Sequence, residues 1–238
     1  MTLDVLLTPA ALRPDDARGR LVVVIDVLRA CTTIVTALEN GARAVLPVTA
    51  PGEAGRIAST MDPDAVRLSG ERDALPIPEY HFANSPRDFT EATIGGKTLI
   101  LSTTNGSGLF SAVDKGEAVV AGCLRNAAAV AETIRANGDD ALLVCAGWRG
   151  EPSLEDTLCA GYLAHLVWNG VMPADAADGA RMAHRLYLAE RGDLAAALEQ
   201  STHGRRLASL GHADDVAFCA VADASTLVPR FDGMRIRA

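Results

Sequence analysis

The stretch Leu21-Val22-Val23-Val24-Ile25, closed by Asp26, decides the fold. A continuous run of β-branched and aliphatic residues suits a strand buried on both faces, as in a parallel or mixed sheet flanked by helices. Past Asp26 the period becomes helical. Ile34, Val35, Leu38 and Ala42 recur at three- and four-residue steps, and Asn40-Gly41 offers a stop.

Working outward, strand and helix signals alternate. Leu3–Leu7 precedes the central run as a short strand. Behind it follow strands at Ala44–Val48, Ala65–Ser69, Lys97–Leu101, Glu117–Ala121 and Ala141–Cys145. Helices are predicted at Gly52–Met61, Gly106–Asp114, Asn126–Asn137 and Ser153–Asn169. The segment from Gly70 to Pro86 carries Pro76, Pro78 and Pro86 and reads as a long loop. Beyond Val171 the texture turns to Ala, Leu, Arg and Glu, with helices at Ala176–Arg191 and Leu194–Leu210 and a strand-like piece at Asp215–Ala220. The pattern predicts an α/β fold with a mixed, largely parallel sheet. No linker marks a boundary, so residues 1–238 read as one unit, with a helical portion from about residue 171.

The 238 residues leave room for a sizeable core. With 22 Lys plus Arg against 30 Asp plus Glu, the formal net charge is -8. That balance gives neither the positive footprint of a nucleic-acid binder nor a polybasic membrane anchor. No apolar stretch reaches the ~18 residues of a membrane span, and Met1 to Pro14 lacks the pattern of a secretory signal. Cys31, Cys123, Cys145, Cys159 and Cys219 are scattered, with no C-x-x-C pair. They read as reduced, buried thiols of a cytoplasmic protein. The Ala- and Leu-rich helices after Val171 supply a surface for a possible homodimer.

Ligands of open α/β sheets gather at the carboxyl ends of the strands, and the residues there are not ordinary loop residues. Asp26 ends the central strand as a candidate nucleophile or metal ligand. Arg29 can fork onto anion oxygens, and Thr32 and Thr33 open the next helix. Gly70-Glu71-Arg72 brings another acid and another guanidinium, and Asn84-Ser85-Pro86 closes the long loop. Ser102-Thr103-Thr104-Asn105-Gly106-Ser107-Gly108 offers hydroxyls, an amide and glycines at a helix start. Ala146-Gly147 is followed by Glu155-Asp156 in the first turn of a long helix. Each segment also has a plain structural reading, as a helix cap, a surface ion pair or acids complementing a helix dipole. His203 and the acids Asp214, Asp215 and Asp223 read as surface groups.

Spacing excludes several phosphoryl-transfer schemes. Leu28 stands where a haloacid-dehalogenase-type enzyme needs a second Asp. Ala37 and Glu151 stand where a cysteine phosphatase needs Arg, six positions after Cys31 and Cys145. The Walker ending and the G-x-S-x-G elbow are absent.

Taken together and in order, Val24–Thr33, Gly70-Glu71-Arg72, Asn84-Ser85-Pro86, Ser102–Ser107 and Ala146-Gly147 with Glu155-Asp156 resemble the 2-phosphosulfolactate phosphatase (ComB) family across nearly the whole chain. The resemblance implies a Mg2+-dependent phosphomonoesterase that converts 2-phospho-3-sulfolactate to 3-sulfolactate and phosphate, in a sulfonate route associated with coenzyme M. It also implies a fold of two α/β portions. Cys31 departs from the Ser expected there and removes a hydroxyl donor. Glu79–Ala83 also departs, and is expected to line the pocket near the organic half of the substrate.

On this reading Asp26, Glu71 and Asp156 hold Mg2+, directly or through water, and together with Arg29 form the catalytic set. Arg29 and Arg72 clamp phosphate or sulfonate oxygens. Thr32, Thr33, Asn84, Ser85 and the Thr103, Thr104, Asn105, Gly106, Ser107 turn bind substrate. Either water or Asp26 itself attacks phosphorus. The alternatives are a phosphatase of another phosphorylated hydroxy acid and a non-catalytic binder of an anionic metabolite.

Overall fold

The computed structural model describes residues 2–238. Its strands are β1 (Leu3–Leu6), β2 (Leu21–Ile25), β3 (Ala44–Val48), β4 (Val66–Arg72), β5 (Leu75–Pro76), β6 (Thr98–Ser102), β7 (Ala118–Gly122), β8 (Ala141–Cys145), β9 (Arg230–Phe231) and β10 (Ile236–Arg237). The helices are α1 (Ala30–Glu39), α2 (Pro51–Ala58), α3 (Glu91–Ile94), α4 (Gly106–Ala112), α5 (Ala127–Asn137), α6 (Leu154–Val167), α7 (Asp178–Glu190), α8 (Leu194–Gln200), α9 (Thr202–Ser209) and α10 (Ala213–Cys219).

The strands form a sheet in the order β1-β8-β2-β7-β9-β10-β3-β6-β4-β5. Within it lie two parallel sets, β1-β8-β2-β7 and β3-β6-β4. The hairpin β9–β10 joins them through antiparallel pairing on both sides. Three antiparallel steps reverse the strand direction between the sets.

The central strand shows why its sequence is apolar at every position. Leu21, Val23 and Ile25 enter one core with α5 and α6, through residues such as Val130, Ile134, Leu158 and Leu163. Val22 and Val24 enter the opposite core with Ile34 and Val35 of α1 and Leu109 and Phe110 of α4. A smaller core holds Val48, Ala54, Val66 and Ile100. All five cysteines are free and buried. Among the described residues no helix is long and apolar enough to cross a membrane.

Four expectations are corrected. Gly70-Glu71-Arg72 is not loop but the end of β4, which β5 extends as a short antiparallel edge. Gly70 fits because the Ser102 carbonyl of β6 occupies the space a Cβ would need. Leu194–Leu210 is two helices, broken at Ser201, whose hydroxyl accepts the Gly204 N–H at 2.9 Å and starts α9. Asp215–Ala220 lies in helix α10, where Val216 and Cys219, three residues apart, enter the first core. Glu79–Ala83 runs along the outer edge of β4. Leu68 N–H donates to His81 Nδ1, and Phe82 N–H to the Leu68 carbonyl.

Candidate active site

Asp26 follows β2 at the sheet's carboxyl end and is buried. Its Oδ1 accepts the Ala30 N–H at 3.0 Å, so the acid itself caps α1, not a threonine. Its Oδ2 lies against Gly106 at the start of α4, where any Cβ would collide with it. The carboxyl ends of β2 and β6 therefore meet. Burial pushes the Asp26 carboxyl up to about 6; the Ala30 N–H and His203 oppose the rise, while Glu71 and Glu155 add to it.

Arg29, at the head of α1, is buried and joined to Leu28 by a cis peptide bond. Its Nη1 donates to Asp215 Oδ2 at 2.6 Å, and Asp215 Oδ1 accepts from the Ser85 hydroxyl at 2.7 Å. Arg29 Nη2 is buried with no partner. An unsatisfied buried N–H costs about 1–3 kcal/mol, and more for a charged group. An anion oxygen would remove that cost.

Glu71, near the end of β4, accepts hydrogen bonds on both oxygens. Its Oε1 accepts the Thr104 N–H at 2.7 Å, while Oε2 accepts the Ala74 N–H at 2.7 Å and the Thr104 hydroxyl at 3.1 Å. It thereby fixes the turn after β6 beside Asp26.

Asp26, Arg29, Glu71, Asn84, Thr103, Thr104 and Asn105 line one narrow cleft. The structure adds Leu28, Asp73, Ala74, Trp148, Arg149 and His203. Arg149 pairs with Asp73 at 2.8 Å, largely exposed, and lies over the Trp148 ring at 4.6 Å. His203 stacks on Trp148 with centroids 5.5 Å apart, and its Nδ1 is 3.3 Å from Glu155 Oε1.

Several expected ligands are spent elsewhere. Arg72 donates to the Thr49 and Ser102 carbonyls and to the Ser102 hydroxyl, tying together the ends of β3, β4 and β6. The Thr32 hydroxyl donates to the Val27 carbonyl at 2.8 Å, and that of Thr33 to the Asn84 carbonyl at 3.4 Å. Ser85 holds Asp215. Ser107 receives the Thr103 N–H and donates to the Val48 carbonyl at 2.8 Å, so it builds the turn without lining the cleft. Gly106 contributes space for Asp26. Cys31 points into the core, with Sγ 3.3 Å from the Val24 carbonyl, so its missing hydroxyl takes nothing from the cleft.

Asp156 braces two loops: Oδ1 accepts the Val27 N–H at 2.8 Å and Oδ2 the Gly147 N–H at 3.0 Å. Burial, Asp26 and Glu155 push its carboxyl well above the ordinary range. Among the described residues no three His, Cys, Asp or Glu side chains form a group that could hold a metal ion. Asp26, Glu71 and Asp156 are therefore not a ready three-carboxylate centre. What fits a cation is narrower: the free Oδ2 of Asp26, with Glu71 alongside. Mg2+ needs no more protein than one or two carboxylates when water and phosphate complete its shell.

Two groups expected at the surface are corrected: His203, from α9, lines the cleft, and Asp215, from α10, is buried against Arg29. Arg149 belongs to the loop after β8, one of the strand ends that the sequence singles out.

Fold and cleft together define an α/β enzyme with its site at the carboxyl ends of the strands. The chain belongs to the 2-phosphosulpholactate phosphatase family, phosphoric monoester hydrolases, whose model matches residues 6–233. It is 39% identical over 217 residues to a protein of Symbiobacterium thermophilum named probable 2-phosphosulfolactate phosphatase, covering 91% of this chain and 93% of that one. Proteins with the same name from Caldanaerobacter subterraneus (34% identical, 100% of this chain and 98% of that one) and Thermotoga maritima (37%, 95% and 94%) are similar over nearly their full lengths.

Proposed function

We propose that this chain hydrolyses 2-phospho-3-sulfolactate to 3-sulfolactate and phosphate in a Mg2+-dependent reaction. The observation that carries the reading is Arg29, a buried guanidinium tied to Asp215 with Nη2 left unpartnered in the cleft that holds Asp26. An anionic oxygen there gains a charge-assisted hydrogen bond without further desolvation of the arginine. The names of the relatives supply the choice of substrate.

Arg149 supplies a second cation, since its exposed pair with Asp73 exchanges easily for a substrate oxygen. A chain of net charge -8 needs such local cations to receive an ester bearing phosphate, carboxylate and sulfonate. Thr103 and Asn105 are the nearby hydroxyl and amide donors. Water attacks phosphorus, and Asp26 Oδ2 takes its proton. Asp26 and Glu71 would hold Mg2+ through its water ligands. When bound, the ion neutralises charge on the transferring phosphoryl group.

Phosphate release from a panel of phosphorylated hydroxy acids tests the proposal. It predicts the highest kcat/KM for 2-phospho-3-sulfolactate, loss of activity in EDTA and recovery with Mg2+. Equal rates across the panel would remove the substrate assignment, and indifference to EDTA would remove the metal.

A further inference from the structure

We infer that His203 is the general acid that protonates the departing ester oxygen, with Glu155 as its positioning residue. This rests on the phosphatase reading above. Glu155 sits in the first turn of α6, is buried, and places Oε1 3.3 Å from His203 Nδ1. Its second oxygen, Oε2, is buried without a partner, so the imidazole is the only group that this carboxylate engages among the described residues. Trp148 stacks on the ring at 22° and fixes its plane. Nδ1 thus faces Glu155, and no hydrogen bond of the His203 ring is present among the described residues, which leaves Nε2, on the opposite edge, available to a ligand. His203 lines the cleft with Asp26 and Arg29. An imidazole oriented by a carboxylate beside the reacting groups is the arrangement general acid catalysis requires.

The chemistry calls for such a group. The leaving oxygen of a hydroxy-acid phosphate is an aliphatic alkoxide, a poor leaving group unless protonated. As the ester P–O bond breaks, its electron pair goes to that oxygen, which takes the Nε2 proton. The attacking water forms the new P–O bond and gives its proton to Asp26. His203 is left neutral and Asp26 protonated, and solvent exchange restores both.

Leaving-group dependence tests this without relying on folding alone. Wild type, His203→Gln and Glu155→Gln are compared on an alkyl monoester of a hydroxy acid and on p-nitrophenyl phosphate, whose leaving group needs no proton. His203→Gln is expected to lose about 100-fold in kcat on the alkyl ester and only a few-fold on the aryl ester. Glu155→Gln should show the same selectivity, more weakly. As a check free of any variant, the wild-type rate should depend only shallowly on leaving-group acidity across an aryl and alkyl series. Equal losses on both esters, or a steep wild-type dependence, would overturn the assignment. Failure of the phosphatase reading looks different: the wild type then releases phosphate from neither ester.

Discussion

At the scale of single residues, Arg29 is the group whose environment asks for a ligand. One side of its guanidinium neutralises Asp215, and the other is buried and unmatched. Lysine keeps the charge but lacks the planar fork, so it cannot serve Asp215 and a substrate oxygen together. Arg29→Lys is expected to raise KM by about tenfold or more while the fold persists, read from steady-state kinetics beside circular dichroism. Arg29→Ala leaves Asp215 buried without its partner, and should cost about 3–5 kcal/mol in urea unfolding. Gly106 makes a second prediction. A methyl there would overlap Asp26 Oδ2 and stand 3.0 Å from the Ala30 Cβ. Gly106→Ala should cost about 1–3 kcal/mol and displace the acid, so turnover should fall further than the melting temperature alone explains. Wild-type kinetics in Gly106→Ala would show that Asp26 needs no such closeness.

At the scale of elements, the α6–α7 pair carries a pH-dependent weakness. His184 of α7 is buried, its Nε2 lies 3.2 Å from His165 Nδ1, and Trp168 and Tyr187 close the cluster. Burial, then the neighbouring His165, lowers the His184 pKa below its ordinary 6.5. The folded state therefore binds fewer protons than the unfolded chain between the lowered value and 6.5. The His184 contribution to stability should therefore rise with pH through that window and be lost on acidification below 6.5, against the opposite contribution of the raised Asp26 and Asp156 carboxyls. On going from pH 7.5 to 5.5, His184→Gln should lose less of its urea midpoint than the wild type does; the same pH dependence in both proteins would contradict the assignment. Elements were legible in the sequence where one rule governed them. β2, β3 and β8 match their expected bounds because their apolar runs have no competing period. α10 was misread because Val216, Phe218 and Ala220 alternate as a strand would, and only packing against the first core selects the helix. The site was legible in the same measure. Asp26, Arg29, Glu71 and the Thr103–Asn105 turn follow strand ends in sequence, whereas His203 reaches the cleft, and Asp215 its partner Arg29, from helices that no local pattern points there. Arg72 shows the opposite limit: its position suggested an anion clamp, and its carbonyl partners exist only once β3, β4 and β6 assemble.

At the scale of the whole molecule, the β9–β10 hairpin joins the two parallel sets of strands edge to edge, over the second core that both share. Ile236 is fully buried, pairs with Val45 and enters the second core. Ile236→Ala should cost about 2–5 kcal/mol. Since Asp26 comes from one set and Glu71 and Thr104 from the other, the same substitution should also loosen the cleft. KM should therefore rise although residue 236 touches no ligand; an unchanged KM would mean that the sets hold together without the hairpin. The molecule thus assembles a small anion site from parts that neither set of strands contains alone. In the proposed reaction Asp26 drives hydrolysis of an anionic phosphomonoester in this cleft. The most direct measurement is phosphate release from 2-phospho-3-sulfolactate with Mg2+ present, wild type beside Asp26→Asn. The account predicts turnover by the wild type and a loss of about 1000-fold or more in a folded variant; a variant that kept the wild-type rate would contradict it.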